Sequence, residues 1–180
     1  MSSTIVDSLF EDFQSLSKYL DDGKEFSLKI IADENFSKSI LLCSASYFES
    51  FICNLMMSYI NSNTNDNALI NSFVKNKAVS RQYHTYFNWE EANANSFFGL
   101  FGEDFKKFMQ NEVKQNDRLD KSIKAFLEIG GNRNRLIHQN YGAYFMEKTP
   151  VEIYELYKTS LYFLEIFESE LFGFIQKNPQ

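Results

Sequence analysis

Glycine and proline together account for only nine of the 180 residues, where an average chain carries roughly 12% of the two. Sheet proteins turn often and use these residues to do so. The scarcity therefore weighs against a β-sandwich or barrel and toward long helices. Apolar spacing points the same way. Ile5, Leu9, Phe13, Leu16 and Leu20 form a helical stripe between Ser3 and Leu20, and Asp21-Asp22-Gly23 ends that segment. A longer helix is predicted from Asn35 to Asn61, with Phe36, Ile40, Phe48, Ile52, Leu55, Met56 and Tyr59 on its core face. The Asn-rich run from Asn61 to Asn67 reads as a loop, followed by a short helix from Ala68 to Lys75.

Lys77 to Ala94 carries Tyr83, His84, Tyr86, Phe87 and Trp89 without clear periodicity, and reads as a long structured loop. Helical spacing returns over Asp104–Gln115, with Phe105, Phe108 and Val113 inward. It continues over Leu119–Ile137, with Ile123, Phe126, Leu127 and Ile129 inward. Gly130-Gly131 predicts a kink or stop there, with Asn132 as the cap of a restart. The last helix has the clearest start: Thr149-Pro150-Val151-Glu152 combines an N-cap threonine, proline at the first helical position and glutamate at the third. Ile153, Tyr157, Leu161, Leu164, Phe167 and Leu171 form its stripe. The expected fold is all-α, an up-and-down bundle of about five to six helices forming a single domain over 1–180.

Aromatic residues reach 17%, with 19 Phe and 10 Tyr. That exceeds what a small bundle core easily absorbs, so a subunit interface is expected. The net charge of −6 argues against a surface built for unspecific nucleic-acid binding. Yet no acid occurs from Asn67 to Trp89, where Lys75, Lys77 and Arg81 lie. Lys114 to Gln139 is also net basic. A small basic site on an acidic body fits this distribution, with Lys75, Lys77, Arg81 and Arg135 as candidate contacts to an RNA backbone.

The N-terminal stretch lacks the basic region of a signal peptide. Ile40–Ile60 is long enough to span a membrane, but Glu49 near its middle and several serines favour a buried helix of a soluble bundle. Cys43 and Cys53 are too far apart on one helix for a disulfide, roughly 15 Å. They read as buried thiols of a cytoplasmic protein with no membrane partner. No pair has zinc-ligand spacing, and neither a metal nor a cofactor is expected.

One short segment carries chemistry: Arg133-Asn134-Arg135-Leu136-Ile137-His138, just after the two glycines. On a helix, Asn134 and His138 share a face, and the long Arg133 side chain reaches toward the same ligand. A guanidinium binds phosphate bidentately, and an imidazole exchanges protons near neutral pH. This combination suits metal-free RNA cleavage by 2′-hydroxyl attack, which needs a base, an acid and a cation. One chain supplies only His138 in this segment. His84, distant in sequence and without a partner motif, reads as a loop histidine. A two-fold dimer would bring two copies of His138 and Arg133 into one cleft. The same bases also suit a plain helix-terminal cap network. In that reading the protein is a helical interaction module without an open cleft.

These residues resemble the HEPN motif, an arginine, a polar residue and a histidine within a few positions. Together with the long helix around Leu42–Tyr59, the segment Phe101-Gly102-Glu103-Asp104-Phe105 and the capped last helix, the chain from Asn35 to Phe174 resembles the RiboL-PSP branch of HEPN proteins. The resemblance implies a dimeric, metal-independent endoribonuclease of a toxin–antitoxin, phage-defence or stress system, held in check by an antitoxin or regulatory protein. Arg133 and His138 are then catalytic, with Asn134 and Tyr141 in support. In one toxin branch a modified tyrosine stands two residues after the histidine; here that position is Asn140, and Tyr141 is third. The alternative within the same resemblance is a non-catalytic HEPN-like dimer that binds RNA, a nucleotide or a protein partner.

Overall fold

The computed structural model describes residues 3–139 and 141–177, with side chains up to Phe174. Among these are eight α-helices and no strand: α1 (Ile5–Asp22), α2 (Phe26–Asn63), α3 (Ala68–Val74), α4 (Tyr83–Tyr86), α5 (Asn95–Gly99), α6 (Glu103–Gln115), α7 (Asp117–His138) and α8 (Pro150–Lys177). A π-helical turn, Lys75–Val79, continues α3. The fold is all-α, as the sequence predicts. Five long helices make the bundle, and the short ones bridge α2 to α6. The central helix α2 packs against α1, α7 and α8, and α7 lies along α8.

Local chemistry explains the ends. The Thr4 hydroxyl accepts from the Asp7 N–H, and the Asp7 carboxylate accepts from the Thr4 N–H at 2.7 Å. Thr149 and Glu152 repeat this reciprocal cap on α8, with the Thr149 N–H at 2.8 Å from Glu152 Oε2. All six residues of the predicted α8 stripe are buried.

Two expectations about faces need correction. The buried side of α1 is Val6, Phe10, Phe13 and Leu20, while Ile5 is exposed and Leu16 lies at the surface. The helix is turned by α8: Phe10 stacks on Tyr154 with ring centroids 3.8 Å apart, and the Thr4 hydroxyl meets the Tyr157 hydroxyl at 2.8 Å. The second helix starts at Phe26, well before Asn35. Its extra turns expose Phe26, Leu28, Ile30 and Ile31, so no one-sided stripe announces them. This is also the one helix among the described residues long and apolar enough to cross a membrane. Its buried face is used up against α1, α7 and α8. Cys43 and Cys53 are free and half-buried rather than buried. Burial pushes both thiols up, and Glu49 adds to the effect at Cys53.

Much of the aromatic surplus packs within the chain. Tyr83, Tyr86 and Phe87 of the aperiodic segment are buried with Phe97 and Phe98, so that segment is part of the core. Phe87 stacks on Phe97 at 4.4 Å and meets Phe126 of α7 at 4.9 Å; Phe97 reaches Phe167 of α8 at 4.7 Å. Tyr19, Phe26, Phe73, Tyr141 and Phe145 remain exposed.

The predicted stop at Gly130-Gly131 does not occur. Helix α7 runs through both glycines, and Asn132 is a buried mid-helix residue whose Oδ1 accepts from Arg135 Nη2 at 2.6 Å. The glycines answer to packing. A Cβ on Gly130 would lie 1.9 Å from Trp89 Cζ3, and one on Gly131 would lie 3.3 Å from the Trp89 carbonyl oxygen. Gly130→Ala should therefore destabilise by about 1–3 kcal/mol despite the better helix propensity of alanine. Gly131→Ala should be close to neutral. Thermal melts of the two variants check this; equal melting temperatures would contradict the packing account.

Asp7 links both ends of the chain. Its carboxylate accepts from Tyr154 at 2.6 Å and from Lys158 at 3.1 Å, besides its bonds within the cap. Burial alone would raise its pKa, but the bonds from Tyr154, Thr4 and Lys158 outweigh it and pull the group down to about 2. A depressed carboxyl stabilises the fold above its unfolded pKa of roughly 4 and loses that contribution as pH falls toward 2. Discounted for partial solvation, Asp7→Asn should cost about 1–2 kcal/mol at pH 7 and almost nothing near pH 2. Urea midpoints of the two proteins across that range measure the difference.

Candidate active site

Residues 133–138 form the last turn and a half of α7, with Gln139 as the cap. The free carbonyls of a helix C-terminus carry partial negative charge and favour bases there. Arg133 and Asn134 are half-buried, and His138 is exposed. All three line one open cavity of about 530 Å³, together with Ile137 from the same helix. Glu49 enters this cavity from α2. Arg81, Tyr83 and His84 enter it from the approach to α4.

The guanidinium is held at two points. Arg133 Nη1 donates to Asn134 Oδ1 at 3.1 Å, and Nη2 lies 3.8 Å from Glu49 Oε2. Burial drives the pKa of the Tyr83 hydroxyl far up, Glu49 and Cys53 push it further, and Arg133 only partly offsets them. Tyr83 therefore keeps its proton and cannot serve as a base. Neither imidazole forms a side-chain hydrogen bond among the described residues, so both rings are free to meet a ligand.

His84 reaches the cavity by a traceable route. Arg81 adopts a left-handed backbone, φ 61°, between the π-helical turn and α4. After α4 the chain folds back, and Trp89 Nε1 donates to the His84 carbonyl at 3.0 Å. The indole itself lies in the space left by Gly130. One glycine of α7 thus holds the tryptophan that holds the backbone of His84, a turn away from Arg133.

The other expected residues lie elsewhere. Arg135 is on another face and lines a separate cavity with Trp89, Glu90, Glu91, Lys124 and Glu128. Lys77 lines a separate apolar cavity with Met56, Tyr59 and Tyr86, and Lys75 is exposed outside the site. Of the bases in that acid-free window, Arg81 and His84 line the cavity.

Tyr141 does not line the cavity. Its carbonyl accepts from the buried Lys38 ammonium at 3.1 Å, and its ring lies 5.1 Å from the same group. Lys38 also pairs with Glu34 at 3.0 Å, so this cluster anchors the chain leaving α7. Asn140 lies outside the described residues.

Sequence reasoning missed Glu49, which reads only as a charge on an apolar helix, and set His84 aside. The available signal was the acid-free window around His84. Among the described residues no group of three His, Cys, Asp or Glu side chains could hold a metal ion.

The family model RiboL-PSP-HEPN matches residues 7–172, nearly the whole chain. No curated protein and no solved structure matches it closely enough to count as a relative.

Glu49 is the one carboxylate on the cavity wall and competes with any phosphate for Arg133. Both partners are partly exposed, so the pair contributes at most about 1 kcal/mol to stability. Glu49→Gln should leave the melting temperature nearly unchanged. It should also tighten binding of a short 2′-O-methyl oligoribonucleotide about three- to tenfold at low salt. Fluorescence anisotropy measures this; weaker binding would mean that the carboxylate serves to orient Arg133.

Proposed function

The chain belongs to the RiboL-PSP-HEPN family, and from that membership we propose that it is a metal-independent endoribonuclease. The observation that carries the reading is the placement of Arg133, Asn134 and His138 on one open cavity whose wall also holds Arg81. A cavity with two guanidinium groups attracts a phosphodiester, and an exposed imidazole can move a proton beside it.

In the proposed reaction the RNA backbone enters at Arg133 and Arg81. A base removes the 2′-hydroxyl proton while the oxygen attacks the adjacent phosphorus. Arg133 stabilises the charge that builds on the phosphoryl oxygens, as a positioned cation does in a site shielded from bulk water. Asn134 holds Arg133 in place through the 3.1 Å bond. An acid then protonates the departing 5′-oxygen. The products are a 2′,3′-cyclic phosphate and a 5′-hydroxyl. His138 is one of the two proton-transfer groups.

The wider setting belongs to the same proposal. The protein acts in the cytoplasm as a single domain and as a homodimer that brings two copies of Arg133 and His138 into one shared cleft. An antitoxin or regulatory protein restrains it within a toxin–antitoxin, phage-defence or stress system.

Purified protein should cleave single-stranded RNA in excess chelator and leave cyclic or 3′-phosphate ends. His138→Ala should reduce the rate about 10²–10⁴-fold without lowering the melting temperature, since the ring is exposed. Arg133→Ala should do the same through lost phosphate contact. A His138→Ala variant that cuts like wild type would sink the assignment. Binding of RNA without cleavage by the wild-type protein would favour the non-catalytic reading.

A further inference from the structure

We propose that the face formed by α3, the π-helical turn and the cavity beside it docks an acidic amphipathic helix of a partner protein. Helix α3 buries none of its residues. Leu69 is 84% exposed and Phe73 67%, and Ile70 is exposed with them. Residues 69 and 73 are one turn apart, as are 70 and 73, so the three side chains share one side of the helix. In the isolated chain this apolar stripe covers nothing and meets water.

The stripe runs into a preformed cavity. The π-helical turn continues α3 and brings Lys77 and Val79 to an open cavity of about 470 Å³. Met56 and Ile60 of α2 line it, as do Tyr86 and Leu100. Leu100 is itself exposed, which extends the apolar surface outward. The walls are fixed by hydrogen bonds. The Tyr86 hydroxyl donates to the Ala78 carbonyl at 2.5 Å, and the Thr64 hydroxyl donates to Asn71 Oδ1 at 2.6 Å, fastening α3 to the end of α2. A partner that fits such a surface loses little free energy in ordering it.

Charge selects the partner. No carboxylate lines the cavity, and no acid occurs from Asn67 to Trp89, in a protein of net charge −6. Lys77 lines the cavity and Lys75 is exposed beside it; neither ammonium is paired among the described residues. A second copy of the chain fits poorly, because a two-fold interface would set both lysines against a face without a carboxylate. A lipid surface also fits poorly, because the site is concave and carries two lysines rather than the broad basic face of a membrane-lying helix. An added strand needs a sheet edge, and the described residues include no strand. A helix needs only a groove for its apolar stripe. Carboxylates on the flank of that helix would pair with Lys75 and Lys77.

This face is distinct from the cavity of Arg133. Gln82 and Thr85 line the apolar cavity, whereas Arg81, Tyr83 and His84 line the other. Docking therefore does not depend on the ribonuclease reading.

The test is a selection from a phage-displayed library of helical peptides, with the full chain as bait, followed by fluorescence anisotropy on the enriched sequences. These should carry an apolar stripe and net negative charge. Phe73→Ser and Leu100→Ser should each weaken binding about three- to tenfold, with melting temperatures unchanged because both side chains are exposed. Lys77→Glu should weaken it about tenfold at low salt and less at high salt. Exchanging the peptide's glutamates for lysines should abolish binding to the wild-type chain and restore it to Lys77→Glu.

Enriched peptides that are basic or neutral, that tolerate Phe73→Ser and Leu100→Ser, or that are lost with Arg133→Ala instead overturn the proposal. So does a concentration-dependent dimer in sedimentation that Phe73→Ser abolishes, which would give the face to a second copy. Cosedimentation with phosphatidylcholine–phosphatidylserine vesicles that Phe73→Ser abolishes would give it to lipid, and overturns the proposal as well. A wild-type protein that cleaves no RNA overturns the ribonuclease reading and leaves this one standing.

Discussion

The packing of Trp89 on Gly130 is the contact on which the rest of the site depends. Interiors are close-packed, and an indole can approach a helix backbone this nearly only where a side chain is missing. Gly130 provides that gap in the middle of α7, and the Cβ of any other residue would fall 1.9 Å from the ring. The two glycines cost helix propensity of about 1 kcal/mol each, and the buried aromatic surface offsets it. Fixed there, Trp89 ties down the His84 carbonyl and draws Phe87 against Phe126. The aperiodic segment thereby becomes a wall of the bundle and the far side of the cavity.

Electrostatics follow from this packing. The protein is acidic overall, yet its two net basic stretches meet at one place. Arg81 and His84 come from one, Arg133 and His138 from the other. Glu49 faces them from α2 and competes with an anion for the Arg133 guanidinium, while Asn134 accepts from its other nitrogen. Three other basic residues are engaged in the scaffold. Lys38 pins the chain after α7 through Tyr141, and Lys158 closes on Asp7. Arg135 is bound to Asn132.

Much of the scaffold was legible. The α8 stripe, the capping box at Thr149 and the inward face of α7 follow from local spacing and local hydrogen bonds. The motif Arg133-Asn134-x3-His138 could be placed on a helix, and its shared face inferred, because four residues make one turn. The rotation of α1 was not legible. Phe10 and Ile5 both sit at helical spacing, and only Tyr154, 144 positions downstream of Phe10, selects between them. The start of α2 was hidden because its first turns are apolar outward. The glycine pair was misread as a break because a gap for packing and a gap for bending use the same residue.

Sequence alone determined the helical class and the capping box that starts α8, since each is written in residues within a few positions of one another. Tertiary structure alone decided which bases share a cavity. Arg81 and Arg135 look alike in sequence, yet one lines the site beside His138 and the other lies among glutamates. The physical reason is range. Periodicity and capping act over one or two turns, whereas the place of His84 on the cavity that His138 also lines depends on an indole packing on the bare surface of a helix some forty residues away.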